Sequence, residues 1–235
     1  MTLDEIMNEL ASVATAQTKR TYLRHGAREP VFGVRIGDLK PFQKKLKGEQ
    51  KLALELYATK NSDAMYLAGL IADGSKMTKR QLDQWANGAT WHLIAGSTVP
   101  WVAAEHPQAV PIACKWIDSK KQLVAIAGWS TLSSVAAAVA DEHLPVDTYS
   151  ALLDRVALQL SSSPDRVSYS MNNFVISVGT YVAPLADKAL TTAEKLGVVT
   201  VDMGDTSCKV PDAASYILKS RRGAQTAPKR QTTRC

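Results

Sequence analysis

The chain has few cysteines and no stretch that could form a membrane span. Its 235 residues include three cysteines, Cys114, Cys208 and Cys235, which are too far apart for a disulfide framework or for the paired spacing of a zinc site. No apolar run approaches the ~20 residues that cross a bilayer. The first ten residues, MTLDEIMNEL, are acidic and amphipathic, unlike a signal peptide. We therefore predict a cytoplasmic protein with no membrane partner.

The sequence also lacks the short motifs of cofactor-dependent enzymes. It has no glycine-rich phosphate loop, no Ser/His/Asp arrangement and no histidine-rich metal pattern. Asp202, Asp205 and Cys208 lie close together in VDMGDTSCKVPDA, but a metal site needs more ligands at fixed spacing. We interpret this segment as a loop with helix-capping residues, and we predict no metal and no cofactor.

Acidic residues are missing from the C-terminal end of the chain. From Lys219 onward there are six basic residues and no acidic one, so the other 22 of the 28 basic residues balance the 22 acidic ones. We therefore divide the chain into a domain of residues 1–218 and a basic tail of residues 219–235. Such a tail binds polyanions such as DNA, or it is a solvated terminus with no specific partner. The tail residues that we expect to contact a DNA backbone are Arg221, Arg222, Lys229 and Arg230.

Strand patterns are almost absent, and apolar positions recur at helical spacing instead. Residues 2–25 follow one such stripe, opened by a capping box from Thr2 to Glu5. About eleven or twelve short helices in succession are typical of HEAT or armadillo arrays. We predict an all-α superhelix of about six antiparallel helix pairs, with a compact helical bundle as the competing architecture. A further stripe combines Val167, Met171, Phe174, Val178 and Tyr181.

The segment from residue 89 to residue 135 holds four of the five tryptophans. It is rich in alanine, and glycine and proline interrupt it. Tryptophans spaced by one helix and a turn predict short helices that pack their rings against one another in a core. These tryptophans are Trp91, Trp101, Trp116 and Trp129.

Several polar residues are candidates for function. His92 has a side chain that titrates near neutral pH, and it is either a general base or a structural residue of an apolar helix. Asn172 and Asn173 lie within a helical stripe, where asparagine is unfavourable, so they either contact a phosphate or the backbone on an inner face or mark a bend. A lysine stripe after Ile36 is either a solvated face or a phosphate-binding surface: Lys40, Lys44 and Lys47.

Four segments carry a resemblance to a known family. They are FGVRIGDLKPFQKKLK, LALELYATKNSDAMYLAGLIAD, the TWHLIAG and CKWIDS segments, and the closing TSCKVPDAASYILK with its basic end. The sequence resembles the DNA alkylation repair family of HEAT-like-repeat glycosylases over nearly its whole length. The resemblance implies a right-handed array whose concave basic face holds duplex DNA by the backbone. It also implies excision of cationic alkylated purines without flipping the base into a pocket.

Carried over residue by residue, the family's site is only partly present. Trp91 falls at the position of the first of two tryptophans that stack near the lesion, and Phe174 falls at the second. Ala95 stands where the family has its catalytic aspartate, and residues 124–126, which are apolar, stand where it has an arginine. A carboxylate stabilises the oxocarbenium-like sugar and can orient water, and Ala95 does neither. The remaining candidates for catalysis are Trp91 and His92.

The resulting expectation is a monomeric protein that binds double-stranded DNA by its backbone, without sequence specificity. It would recognise or excise cationic alkylated purines, although the usual aspartate is missing. One alternative is a helical-repeat scaffold that binds a protein or peptide and has lost the chemistry. A second alternative is RNA binding through the tail alone.

Overall fold

The computed structural model describes residues 1–204, 206 and 208–234, and within them the regular structure is entirely helical. The short 3₁₀ turns are Ile36–Leu39, Gly74–Lys76, Asp141–His143, Leu160–Ser162 and Ala183–Leu185, and one π-helical turn spans Ile94–Thr98. The α-helices are α1 (Leu3–Val13), α2 (Ala16–Arg24), α3 (Lys40–Leu46), α4 (Gln50–Ala58), α5 (Ser62–Ile71), α6 (Lys79–Gly88), α7 (Val99–Ala103), α8 (Ala109–Ile117), α9 (Gln122–Ala138), α10 (Val146–Gln159), α11 (Asp165–Tyr181), α12 (Ala186–Leu196) and α13 (Ala213–Arg221). None of the described helices is long and apolar enough to traverse a bilayer.

The helices alternate between two layers. Helices α5, α7, α9 and α11 form an inner layer in which α9 packs against both α7 and α11, and α13 continues this layer beyond α11. Helices α4, α8 and α12 pack on the inner helix next to them in the chain, and together with α6 and α10 they form the outer layer. This alternation is the helical-repeat arrangement that the short, closely spaced helices predict.

The four tryptophans of the central segment are buried, as predicted. Trp129 on α9 packs edge-on against Phe174 on α11, with 5.2 Å between ring centroids. Gly128 allows α8 to approach α9 closely, because a Cβ at this position would lie 2.8 Å from the backbone nitrogen of Ile117. The large rings and this close approach fix the spacing of the layers behind the inner face.

The N-terminal helix is shorter than the sequence pattern indicates. The capping box from Thr2 to Glu5 is present. The prediction of a single helix over residues 2–25 is wrong, because α1 ends at Val13 and a second helix, α2, begins at Ala16. There the hydroxyl of Thr15 accepts the N–H of Thr18, and the N–H of Thr15 donates to the carbonyl of Gly33 at 2.9 Å. An N-cap side chain that satisfies a new helix start favours two helices over one.

The loop before α3 is held by a buried carboxylate. Asp63 accepts the backbone N–H groups of Phe32, Gly33 and Val34 at 2.7, 3.1 and 2.8 Å. Gly33 has φ +94°, and a Cβ there would lie 2.4 Å from the backbone nitrogen of Lys19. The FGVRIGDL segment is therefore held by its bonds to Asp63 and by close backbone packing against Lys19.

Candidate nucleic-acid interface

A groove runs along the open face of the inner layer. Two adjoining cavities of about 340 and about 310 Å³ form it, and they share Gly96, Ser97, Ser130 and Asn173. We use the name "groove" for these two cavities together. Many of the inner-layer residues that line it are small and most of these carry a hydroxyl group, so a backbone could approach closely: Gly96, Ser97, Ser130, Ser133, Ser134 and Ser177.

Some of these polar side chains are already bonded, whereas others are free. The hydroxyls of Ser133 and Ser134 donate to the carbonyls one helical turn earlier. By contrast, the side chains of Ser97, Ser130 and Asn173 have no hydrogen-bond partner among the residues that the structure describes. The middle of the groove therefore offers neutral donors and acceptors that a ligand can use.

The π-helical turn decides which residues face the groove. Pro100 has no N–H, so the carbonyl of Gly96 cannot receive its usual helical bond. The N–H of Val99, just before this proline, bonds to the carbonyl of Ile94, five residues back, and not to the carbonyl of Ala95, four residues back. The widened turn directs Gly96 and Ser97 into the groove, whereas Ala95 is completely buried. The position where the family resemblance places a catalytic aspartate therefore points into the core.

His92 is a neutral residue at the end of the groove. Burial lowers the pKa of His92 to about 4, helped by the positive charge of Arg166 and by electrostatic interaction with His25. Arg166 donates to the carbonyl of Met203 at 2.9 Å, which ties the segment after α12 to the wall of this cavity. The residues described as lining the cavity include no carboxylate. Asp205, in the neighbouring segment, lies outside the described residues.

The two aromatic rings predicted to stack on DNA are buried, so these two assignments are wrong. Trp91 is only 5% exposed and packs against Tyr22 and His92, with ring centroids 5.8 and 5.3 Å apart. Phe174 is 0% exposed and lies between Trp129 and Tyr149. Neither ring offers a free face, because helix packing already covers both.

Three tyrosines line the groove in addition to Trp101. Tyr169 lines the first cavity, and Tyr181 and Tyr216 line the second. Tyr216 on α13 is 52% exposed. The sequence signal for Tyr216 is a tyrosine next to apolar residues in the ASYILK segment. Tyr216 was not among the predicted site residues.

The two adjacent asparagines of α11 have different roles. Asn172 is fully buried, and its amide donates to the carbonyl of Pro211 at 2.9 Å, so a DNA contact by Asn172 is excluded. Asn173 lines both cavities of the groove. Consecutive helical positions point about 100° apart, and therefore only one of the pair faces the open side.

Comparison with known proteins agrees with this architecture. The sequence profile described as "DNA alkylation repair enzyme" matches residues 6–217. The chain belongs to this family. It is 35% identical over 228 residues to the uncharacterized protein Lin0241 of Listeria innocua and 33% identical to Lmo0209 of Listeria monocytogenes; in each case the match covers 94% of this chain and 98% of the relative.

A solved structure resembles the whole molecule. It is described as a new family of proteins related to the HEAT-like repeat DNA glycosylases with affinity for branched DNA structures. The two chains are 36% identical, each is covered over 100% of its length, and the TM-score is 0.91. The predicted HEAT-like superhelix is therefore confirmed, and the competing compact bundle is not.

The lysine stripe of this DNA alkylation repair family member is exposed. Lys40 and Lys44 lie on α3 and Lys47 follows it, and the described part of the chain gives none of them a carboxylate partner. Lys47 also lines a further cavity at the α5 end of the inner layer. Contact with a phosphate backbone stays a prediction for all three.

The basic tail does not behave as a free terminus. Helix α13 continues past Leu218 to Arg221, and the Arg221 guanidinium is buried, where it donates to the carbonyls of Gly179 and Ala186 at 2.8 and 2.6 Å. Lys229 forms a 2.7 Å ion pair with Asp141. The predicted DNA contacts of Arg221 and Lys229 are therefore wrong, because internal partners occupy both side chains.

Arg222 and Arg230 are the tail residues that remain exposed among the four predicted. Arg230 lines the second cavity of the groove, and its guanidinium has one weak bond, 3.3 Å, to the carbonyl of Arg234. Cys208 lines the first cavity and carries a free thiol, whereas Cys235 lies outside the described residues. Asp202 caps its own turn by accepting the N–H of Gly204.

Proposed function

We propose that this protein binds branched DNA by its phosphate backbone along the groove and does not excise bases. The observation that carries the proposal is the row of unpartnered polar side chains at Ser97, Ser130 and Asn173, in a groove whose described lining has no carboxylate. The related structure with affinity for branched DNA supports the choice of ligand. Binding would be by a monomer in the cytoplasm, without sequence specificity.

The lining suits a phosphate backbone better than it suits a base. Half or more of protein–DNA hydrogen bonds go to phosphate and sugar, and serine and asparagine are common donors. Serines and a glycine on the inner helices keep the surface low, so a sugar–phosphate strand could lie against the helix backbones. Positive charge would come from Arg230 in the groove, from Arg222, from Lys40 and Lys44 on α3, and from Lys47 directly after it.

The same lining does not support hydrolysis of a glycosidic bond. Glycosylase rates require about 8 kcal/mol or more of transition-state stabilisation, and electrostatic groups supply the largest part of this stabilisation. The site where an aspartate is expected carries Ala95, which is buried. His92 has a pKa of about 4, so it is a weak base at neutral pH. Trp91 is buried and touches no open cavity of useful size.

The first test compares the affinity of the protein for three DNA shapes that share the same arm sequences. An immobile four-way junction, a three-way junction and a linear duplex of equal length would be titrated by fluorescence anisotropy at 50–200 mM salt. We expect the junctions to bind more tightly than the duplex, with an affinity that falls as salt rises. Equal affinity for all three DNAs would contradict the preference for branches. No salt-dependent affinity for any of them would overturn the proposal and leave the protein- or peptide-binding scaffold.

A single substitution tests the location of the site. Asn173→Ala should weaken junction binding about tenfold, because a hydrogen bond to a charged group contributes roughly 1.5–3 kcal/mol. The salt dependence should not change, since asparagine neutralises no phosphate. Asn8→Ala on the exposed face of α1 is the matched control. If both variants bind like the native protein, the groove is not the binding site.

The absence of excision is tested separately. Duplex and junction DNA that contain N7-methylguanine would be incubated with excess protein, and released base would be measured by chromatography. We expect release no faster than in protein-free DNA. Enzyme-dependent release that disappears in His92→Gln would show that the histidine replaces the carboxylate.

A further inference from the structure

The last residues of the chain cross the inner layer in reverse order. Ala227 donates its N–H to the carbonyl of Thr180 at the end of α11, and Arg230 donates its N–H to Ala137 at the end of α9, both at 2.8 Å. The hydroxyl of Thr233 donates to Trp101 on α7 at 2.9 Å. We name residues 222–234 the strap. It connects the C-terminal ends of four successive inner helices.

Basic side chains fasten both halves of the strap. The ammonium group of Lys229 donates to the carbonyl of Ala136 at 2.8 Å and pairs with Asp141. Arg234 donates to the carbonyls of Gly69 and Ala72 at the end of α5, at 3.0 and 2.5 Å, and forms a two-point ion pair with Glu105.

The strap has little spare length. Arg234 follows Ala227 by seven positions, and an extended chain covers about 3.3–3.6 Å per residue, or about 23–25 Å in total. Four packed helices with axes about 8–10 Å apart span a distance of roughly 24–30 Å. The segment is therefore largely extended, with bends at Gln231 and Thr233, and the long side chain of Arg234 covers the last step to α5.

The surface under the strap is electronegative. Each helix carries about half a negative charge at its C-terminus, together with carbonyls that have no helical partner. The ends of α7, α9 and α11 lie along one rim of the groove, the end of α5 continues this rim at the neighbouring cavity, and Glu105 and Asp141 add two carboxylates. A bare rim of this kind would repel a phosphate backbone that entered the groove.

We propose that the strap neutralises this rim and thereby holds Arg230 in place as a phosphate contact. Lys229 and Arg234 are positioning residues that act on the rim, whereas Arg230, between them, has no carboxylate partner in the described chain and faces the groove. The inference rests on the proposed DNA binding for its functional part. Its structural part, the anchoring of the strap, stands independently.

Hydrogen exchange tests the anchoring without DNA. In the full-length protein, Lys229→Met and Arg234→Met should speed exchange of the Ala227 and Arg230 amides, because each substitution removes one fastening. Arg230→Gln should leave both rates unchanged. The matched control is Lys195→Gln, which removes an exposed charge from α12 in the outer layer. Unchanged exchange in both anchor variants would overturn the anchoring.

Junction binding tests the electrostatic role. Arg230→Gln should lower the slope of log affinity against log salt by about one and the affinity about tenfold at ~0.1 M salt, since one phosphate contact is lost. Arg234→Met should lose at least as much. Adding Glu105→Gln to Arg234→Met should restore part of the affinity, because the exposed carboxylate is removed. A merely structural anchor would show no such recovery.

The outcomes separate the two proposals. If the native protein binds no junction, the proposed function fails, and hydrogen exchange still decides whether the strap is anchored. If the native protein binds and the anchor variants exchange faster but bind equally well, the role of the strap in DNA binding is overturned. If Arg234→Met with Glu105→Gln binds no better than Arg234→Met alone, the neutralisation of the rim is overturned.

Discussion

Helix α3 and the tail both have a surplus of basic residues, and they use that charge in opposite ways. The lysines of α3 extend into solvent without a described carboxylate partner, so their charge is available to a ligand. In the tail, internal partners occupy three basic side chains. Arg221 bonds helix-end carbonyls, Lys229 pairs with Asp141, and Arg234 pairs with Glu105. A count of basic residues therefore overstates the charge that a DNA backbone would meet.

The largest difference should appear when the α3 lysines are removed together. Replacing Lys40, Lys44 and Lys47 by glutamine should weaken junction binding roughly a hundredfold at ~0.1 M salt and lower the salt slope by two to three. The free energy of unfolding should change by less than about 0.5 kcal/mol per site, because exposed residues without partners contribute little. Anisotropy titrations and urea unfolding measure the two effects. A protein that loses stability but keeps its salt slope would contradict the distinction between α3 and the tail.

Arg221→Met tests the buried charge of the tail, and its main expected effect is on stability. The buried guanidinium bonds the carbonyls of Gly179 and Ala186, and without it the Gly179 carbonyl has no donor, because the N–H of Ala183 bonds Asp141. An unsatisfied buried group costs about 1–3 kcal/mol. We expect the free energy of unfolding to fall by about 3 kcal/mol, as measured by urea denaturation. Arg222→Met, one residue on and exposed, is the control and should leave stability nearly unchanged. Equal losses in the two variants would mean that the internal bonds of Arg221 do not matter.

The sequence supports the fold more reliably than it supports the site. Short helices with apolar stripes predict the all-α array, and the structure has this architecture. The stripe that contains Val167, Met171 and Phe174 already indicated that Phe174 belongs to the core. The family resemblance favoured a stacking role instead, and the helical periodicity was the better guide.

Other features leave no local pattern in the sequence. The ion pair of Arg234 with Glu105 joins residues 129 positions apart, so neither segment by itself predicts it. Ala95 points inward in a π-helical turn that directly precedes Pro100, and the extra residue of such a turn rotates the side chains that follow it. An alignment of residue types assigns the aspartate position to Ala95, whereas the backbone presents Gly96 and Ser97 to the groove.

His92 is another basic residue whose charge is not available to a ligand, because its lowered pKa leaves it neutral in the folded protein at neutral pH. Its effect on stability should be smaller and should depend on pH. Its pKa is lowered from 6.5 to about 4, so between these values the unfolded chain binds more protons than the folded one, and stability falls as the pH drops from 6.5 towards 4. Because the ring is partly exposed, we expect a loss of about 1–2 kcal/mol across this window and none above it. Urea unfolding at pH 7 and pH 4.5 measures the difference, and His92→Gln should remove this part of it. If the glutamine variant loses as much stability as the native protein, the acid sensitivity arises elsewhere, and His92 does not experience the cation of Arg166 or the burial that the structure shows.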